Sequence, residues 1–326
     1  MTNLMLTTAC NFHCEYCFGR DLFPPGHQPH YMSWEMFIDI LDWVERGDTP
    51  GMDIHLMGGE PTLHPRFLEM IREIRNRNRV IFIFSNASVP LKQDVLQECV
   101  RLDTNWVVNT NDPSTYRPKQ LEILRRNLKI IGKQAMLTLN ITKRDTPFSY
   151  IFEYIDKFDL GRRIKIGVAL PTLNKSNVYV GDGSFSEIGD RIMEIKEKAD
   201  ADQVDIEFEC GVPYCIFKEN QLKKWEGTAI SHCGSRLDIT PDGHVINCLP
   251  LCTVASVPYT VFGHYSEAVG WFRRLTEPYR SLGKDNACLS CAPLREGLCS
   301  VCLAHGMNGY SHVSLPSLPG KSAQAE

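Results

Sequence analysis

Strand-like and helix-like stretches alternate six times in the first 200 residues, and this alternation constrains the fold more than any other feature of the chain. Short apolar runs fall at 4–8, 52–57, 80–84, 106–108, 136–141 and 164–170. Between them, apolar residues repeat at helical spacing over 33–46, 65–77, 91–101, 119–131, 148–158 and 185–198. In the first of these, Ser33 stands where an N-cap belongs, and Met36, Phe37, Ile40, Leu41 and Val44 share one face. The run at 80–84 is continuously apolar, as a strand buried on both faces requires. Repeated β/α units build a parallel sheet covered by helices. A closed eight-unit barrel takes about 250 residues. Six units therefore predict an α/β fold of another kind, an open, partial (β/α)6 TIM-like barrel. In such folds ligands gather at the carboxyl ends of the strands.

The pattern changes after residue 200. Residues 237–240, the turn Pro241-Asp242-Gly243 and residues 245–246 read as a small hairpin. Residues 249–302 read as short, loop-rich and punctuated by cysteines. The expected organisation is a barrel over 1–200, a small cysteine-rich α+β domain over 201–310 and a tail over 311–326. The tail's small, polar, proline-containing composition predicts disorder.

With 326 residues the chain has room for about two domains and a full core. A formal net charge of −4 and the lack of a Lys/Arg run argue against a nucleic-acid partner. No apolar run is long enough to span a membrane, and no signal peptide precedes the first strand. The expected location is cytoplasmic, where thiols stay reduced. In that setting the 13 cysteines point to metal or redox chemistry rather than disulfides. Their placement is uneven. Cys10, Cys14 and Cys17 open the chain, Cys99 stands alone on the apolar side of a helix, and the rest lie between Cys210 and Cys302.

Cys10-x3-Cys14-x2-Cys17 follows the first strand directly, at its ligand-facing end. Chance would supply this spacing about 0.02 times in a chain so rich in cysteine, so the motif carries information. Three thiolates are one short of a tetrahedral site. A zinc ion with a distant fourth ligand fits them, and so does an iron–sulfur cluster with one iron left open. Soft thiolates suit both metals. The end of the second strand carries Gly58-Gly59-Glu60-Pro61. Two glycines let a ligand approach the backbone, Glu60 offers an acceptor to a cationic group, and Pro61 stiffens the exit. His13, His27 and His30 read as loop residues.

Together the CxxxCxxC and GGEP motifs resemble the radical S-adenosylmethionine (SAM) superfamily, over roughly residues 4–200. The resemblance implies a [4Fe–4S] cluster on Cys10, Cys14 and Cys17, with SAM chelating the open iron. It places Tyr16 near the adenine and Gly58, Gly59, Glu60 and Pro61 near the methionine amino group. Ser85 and Asn86 after the third strand, Asn109 after the fourth and Asn140 near the end of the fifth are further candidate SAM contacts. Arg117 is another, since a guanidinium can grip a carboxylate with two bonds. Relatives commonly carry a serine followed by Asp-Gly after the fourth strand, and "VVNTNDPSTYRP" departs from that pattern.

Cys233-x9-Gly243-x4-Cys248 resembles the first half of the SPASM pattern found in many such enzymes, a hairpin that brings two thiolates together. Cys288-x2-Cys291-x7-Cys299-x2-Cys302 resembles its four-cysteine run, with altered spacing and without the usual final cysteine. One or two auxiliary [4Fe–4S] clusters are implied. The first would use Cys233, Cys248, Cys302 and one of Cys210 or Cys215. The second would use Cys288, Cys291 and Cys299, with Cys252, a non-cysteine group or substrate as its fourth partner. A zinc ribbon-like module is the competing reading, since paired CxxC motifs are also typical of zinc.

The implied reaction is reductive cleavage of SAM to a 5′-deoxyadenosyl radical that abstracts hydrogen from a substrate. Oxidative modification of a ribosomally made peptide, of crosslink or thioether type, is the leading expectation. Oxidation or rearrangement of a small metabolite is a second. A non-catalytic metal-binding protein is a third. Expected partners are a peptide or small-molecule substrate and an electron donor such as flavodoxin or ferredoxin. Because the barrel begins at residue 4, a peptide leader would be recognised by a separate protein or by the barrel itself.

Overall fold

The computed structural model describes residues 2–24, 26–47, 52–230, 233–234, 236–307, 316 and 318. Apart from residues 316 and 318, the tail expected at 311–326 lies outside the described residues. Seven strands, β1 (Thr2–Thr7), β2 (Ile54–Gly58), β3 (Ile81–Ser85), β4 (Thr104–Asn109), β5 (Ala135–Ile141), β6 (Arg163–Val168) and β7 (Asp205–Glu209), lie side by side in chain order. Every neighbouring pair among them is parallel. Six helices connect them: α1 (Trp34–Arg46), α2 (Phe67–Asn76), α3 (Gln93–Arg101), α4 (Pro118–Ile131), α5 (Ser149–Phe158) and α6 (Phe185–Ala201). All six predicted β/α units are present.

Local chemistry sets the helix starts. Ser33 caps α1 by accepting the Met36 N–H at 3.1 Å. Proline occupies the first position of α4, where its missing N–H costs nothing. The helices bury one face against the sheet: Phe37, Ile40, Leu41 and Val44 of α1 meet Leu4, Leu6, Ile54 and Leu56 in one core. Cys99, fully buried in α3, packs there as a small apolar residue.

The opposite face of the sheet mixes polar and aromatic side chains and curls inward. Lys165 Nζ on β6 lies 5.7 Å from the ring centre of Phe84 on β3. Those strands stand three spacings apart, about 14 Å in a flat sheet, so only a curved sheet lets the two side chains meet. His55 on β2 joins them, 5.3 Å from Phe84. Burial and the nearby Arg236 and Lys165 push its pKa down to about 3.

Two features depart from the sequence-based expectation. The sheet continues past residue 200, which falls inside α6. β7 adds a seventh parallel strand from the segment Asp-Ile-Glu-Phe-Glu, whose acidic residues are poor strand formers and are tolerated at this partly exposed edge. The predicted hairpin, β8 (Asp238–Ile239) and β9 (His244–Ile246), joins the same sheet, because β8 pairs in parallel with β1. A further strand, β10 (Ser256–Pro258), extends it antiparallel to β9. The cysteine-rich segment is also less loop-like than expected. After the short α7 (Glu219–Leu222), α8 (Tyr265–Thr276) buries Tyr265, Ala268, Trp271, Phe272 and Leu275. Tyr265 meets Trp43 of α1 edge-on at 5.7 Å, and the Trp43 indole N–H donates to the Phe262 carbonyl at 2.9 Å.

Candidate active site

The segments at the carboxyl ends of β1, β4 and β5 enclose a cavity of about 810 Å³. Cys10, Cys14, Tyr16, Asn111, Arg117 and Asn140 line it. Each thiol has a nearby N–H donor, two of them in the loop after β1 and one beyond β4. Phe12 N–H donates to Cys10 Sγ at 3.4 Å and Gly19 N–H to Cys17 Sγ at 3.4 Å. The Asn111 side-chain amide reaches Cys14 Sγ at 3.8 Å. Burial pushes the Cys10 thiol up to about 12, and the neighbouring Glu60, Cys14 and Cys17 push it the same way. Cys17 is raised by burial and by Cys14, with Arg20 acting in the opposite sense. The three sulfurs therefore lie within electrostatic reach of one another.

A polar chain runs from Cys14 along the strand ends. The Tyr16 hydroxyl donates to Asn111 Oδ1 at 2.5 Å and accepts from Asn109 Nδ2 at 3.0 Å. Asn140 Nδ2 donates to Asn109 Oδ1 at 2.8 Å. Burial and the nearby Cys14 raise the Tyr16 pKa well above its usual value, so its phenol stays a donor. Asn109 thus stands one bond behind the cavity wall rather than on it. Asn111 was not anticipated from the sequence. Its signal was its place, two residues beyond Asn109 at a strand end.

The Gly-Gly-Glu-Pro segment packs directly against the end of β1 and the cysteine loop. A Cβ on Gly58 would fall 2.2 Å from the Thr7 carbonyl oxygen, and one on Gly59 would fall 2.3 Å from that of Ala9. The close approach that demands glycine is thus made by the backbone of β1 and the cysteine loop. Gly59 N–H donates to the Thr7 carbonyl at 2.8 Å and Glu60 N–H to that of Ala9 at 2.7 Å. Glu60 is fully buried and does not line the cavity. Its Oε1 accepts from the Thr62 hydroxyl, from Thr62 N–H at 3.2 Å and from the Ser85 hydroxyl at 2.8 Å; its Oε2 accepts from Asn86 N–H at 2.7 Å. Three scaffold donors thus converge on one oxygen of this carboxylate and one on the other. Ser85 and Asn86 are likewise committed to Glu60 and to the cysteine loop, and Pro61 starts a buried turn.

The C-terminal thiols fall into two groups. Cys210, Cys233, Cys248 and Cys302 interact electrostatically: Cys302 and Cys233 raise both Cys210 and Cys248, after burial and a nearby carboxylate. Burial pushes Cys215 up to about 11, with Lys284 acting in the opposite sense and Cys299 and Cys288 adding to the rise. Cys252 is buried, and burial and the nearby Asp21 and Asp238 push it up to about 11.

Among the described residues, no three His, Cys, Asp or Glu side chains converge on a point that one metal ion would occupy. Three thiols gathered in one loop, each with an N–H donor, make a donor set that suits a four-iron cluster. The cavity beside Cys10 and Cys14 lies in the range of about 300–1,000 Å³ that small cosubstrates fill.

The sequence pattern of the Radical SAM superfamily matches residues 4–131. The chain is 32% identical over 111 residues to a tungsten-containing aldehyde ferredoxin oxidoreductase cofactor-modifying protein of Pyrococcus furiosus, covering 33% of this chain and 30% of that one. It is 26% identical over 212 residues to GTP 3′,8-cyclase of Actinobacillus pleuropneumoniae, covering 61% of this chain and 54% of that one. It thus spans 30% and 54% of the lengths of these two curated relatives. In fold it resembles anSMEcpe with bound AdoMet, with a TM-score of 0.69, 14% identity and coverage of 96% and 92% of the two chains. It also resembles Streptococcus suis SuiB bound to precursor peptide SuiA, with a TM-score of 0.64, 12% identity and coverage of 90% and 70%. No helix among the described residues is long and apolar enough to cross a membrane.

Proposed function

We propose that this chain, which belongs to the radical SAM superfamily through the domain at residues 4–131, uses a [4Fe–4S] cluster and SAM to oxidise a peptide substrate. The observation that carries the reading is the 810 Å³ cavity at the strand ends, with Cys10 and Cys14 on its wall. When bound, the cluster and SAM supply one-electron cleavage of SAM and hydrogen abstraction from substrate.

The chain's own residues hold and orient these groups. Cys10, Cys14 and Cys17 would bind the cluster as thiolates, with the N–H donors of Phe12, Gly19 and Asn111 offsetting their charge. Tyr16, fixed by Asn109 and Asn111, would present its ring to the adenine. Arg117, at the start of α4, would pair with the SAM carboxylate, and Asn140 would meet the ribose. Glu60, Ser85 and Asn86 hold the cysteine loop in place behind the site. Cys210, Cys215, Cys233, Cys248, Cys288, Cys291, Cys299 and Cys302 would hold auxiliary clusters, a role separate from SAM cleavage.

A peptide substrate is favoured because SuiB and anSMEcpe, which share the fold over most of this chain, have been solved with a precursor peptide and with the Kp18Cys peptide. Oxidation or rearrangement of a small metabolite is the second reading, drawn from the GTP 3′,8-cyclase likeness. The test is an anaerobic incubation of reconstituted protein with SAM, reductant and candidate peptides. Formation of 5′-deoxyadenosine together with loss of two hydrogens from a peptide supports the proposal. If 5′-deoxyadenosine never forms, both enzyme readings fail. If it forms only with a small metabolite, the peptide reading alone fails.

A further inference from the structure

Residues 210–215 and 299–302 lie against each other, and each stretch carries two thiols. A Cβ on Gly211 would stand 2.3 Å from the Ser300 carbonyl oxygen, so the two backbones touch there. The Tyr214 N–H donates to Cys299 Sγ at 3.5 Å, which brings the neighbouring Cys215 to that thiol. Cys215 sits in a single 3-10 turn, Tyr214–Ile216. On the other side of the contact, the Ser300 hydroxyl accepts the Cys233 N–H at 2.7 Å. The paired stretches therefore divide their thiols between two places.

Cys288 lies on the Cys215 side. A Cβ on Gly283 would sit 2.7 Å from Cys288 Sγ, and the next residue, Lys284, interacts with the Cys215 thiol. The Cys291 N–H donates to the Cys288 carbonyl at 3.1 Å, which folds both cysteines into one turn. Lys284 is largely buried and paired with Asp182 and Asp285. It places a cation where a thiolate cluster would carry negative charge.

We propose that Cys215 is the fourth ligand of a second four-thiol site with Cys288, Cys291 and Cys299, while Cys210 completes the first with Cys233, Cys248 and Cys302. The inference rests on the reading that the C-terminal thiols hold iron–sulfur clusters. It assigns the partner that the sequence left open, and it comes from upstream rather than from the missing final cysteine. Cys252, with Asp21 and Asp238 as its charged neighbours, belongs to neither site. A second site closed by four protein thiols leaves no iron for substrate to bind, so it serves electron transfer. Each of the two touching stretches supplies one thiol to each site.

Iron and sulfide counting on anaerobically reconstituted full-length protein tests this. Three four-iron clusters give about 12 iron per chain in the wild type. Cys215→Ala and Cys210→Ala should each lower this to about 8, and Cys252→Ala should leave about 12. Double variants separate ligand loss from misfolding. Cys215→Ala added to Cys288→Ala should remove no further iron, whereas added to Cys210→Ala it should leave only the N-terminal complement of about 4. Mössbauer spectra of the single variants should lose different components. Full iron in Cys215→Ala overturns the assignment. So does further loss in the Cys215→Ala, Cys288→Ala pair. A wild type with about 4 iron would overturn the cluster reading itself and the proposal with it.

Discussion

The Asn86 side-chain amide donates to Asn11 Oδ1 at 2.8 Å and so ties the end of β3 to the loop between Cys10 and Cys14. Asn11 also donates to the Ser88 hydroxyl at 2.9 Å, and Asn86 Oδ1 accepts the Ser88 N–H at 2.9 Å and its hydroxyl at 2.7 Å. Three side chains thus form a closed ring that holds the cysteine loop over the sheet. Asn86→Ala removes three of these bonds, at about 1 kcal/mol each, and leaves buried partners unsatisfied. We expect a chelator to strip the N-terminal iron faster from this variant while C-terminal iron leaves at the wild-type rate. Unchanged release from the N-terminal site would sink the brace.

Gly59→Ala tests the backbone contact behind that loop. The new Cβ would lie 2.3 Å from the Ala9 carbonyl oxygen and 2.7 Å from that of Thr8, and neither is a flexible group. Residues 8–10 must move, carrying Cys10 with them. The variant should lose about 1–3 kcal/mol of stability and the N-terminal iron. Gly181→Ala, with nothing within 4 Å of its Cβ, should keep both and serves as the control. Equal iron content and thermal midpoints in the two variants would count against the contact.

What could be read from the sequence follows from how local each signal is. α1 was legible because Ser33 and its apolar face occupy one stretch of chain. Cys10, Cys14 and Cys17 were legible because they share one loop. β7 was not, since a five-residue segment with three acidic residues shows strand character only once it lies on the edge of β6. α8 had its signal, an apolar face at 265, 268, 271, 272 and 275, but the surrounding cysteines suggested loops. Glu60 reads as a free acceptor until Ser85, 25 residues later, arrives to donate. The approach of Tyr214 to Cys299 spans 85 residues and no spacing rule encodes it.

Asp238 makes stability depend on pH. It is 3% exposed, accepts from Asn3 Nδ2 at 2.6 Å and from Leu249 N–H at 2.9 Å, and burial pushes its pKa up to about 7 against those two bonds. The folded chain holds this proton more tightly than the unfolded chain does. The stabilisation is therefore complete below about pH 4 and is lost as pH rises through about 7. A shift of roughly three units corresponds to at most about 4 kcal/mol. Asp238→Asn removes the titration at the cost of one acceptor. Between about pH 5 and pH 8 the wild-type thermal midpoint should fall more than that of the variant. Parallel midpoints across that range would show that Asp238 does not set the slope.

Asn111 offers the most direct handle on the N-terminal cluster's potential. Its amide is the side-chain donor to Cys14 Sγ, at 3.8 Å, and its Oδ1 receives the Tyr16 hydroxyl. Donors to thiolate sulfur stabilise the reduced, more negative state of a cluster. Asn111→Leu removes the donor, so reduction should become harder and the midpoint potential should move to more negative values. One such bond is worth about 1 kcal/mol net, or about 40 mV for a one-electron couple. The length of the contact makes this an upper value. Asn111→Asp should move the potential further in the same direction, because it replaces the donor with a charge while keeping the acceptor for Tyr16. Potentiometric titration followed by electron paramagnetic resonance reads both variants, and the C-terminal clusters should keep their wild-type potentials. A shift to more positive values in Asn111→Leu, or equal shifts at all clusters, would show that the amide does not act through Cys14.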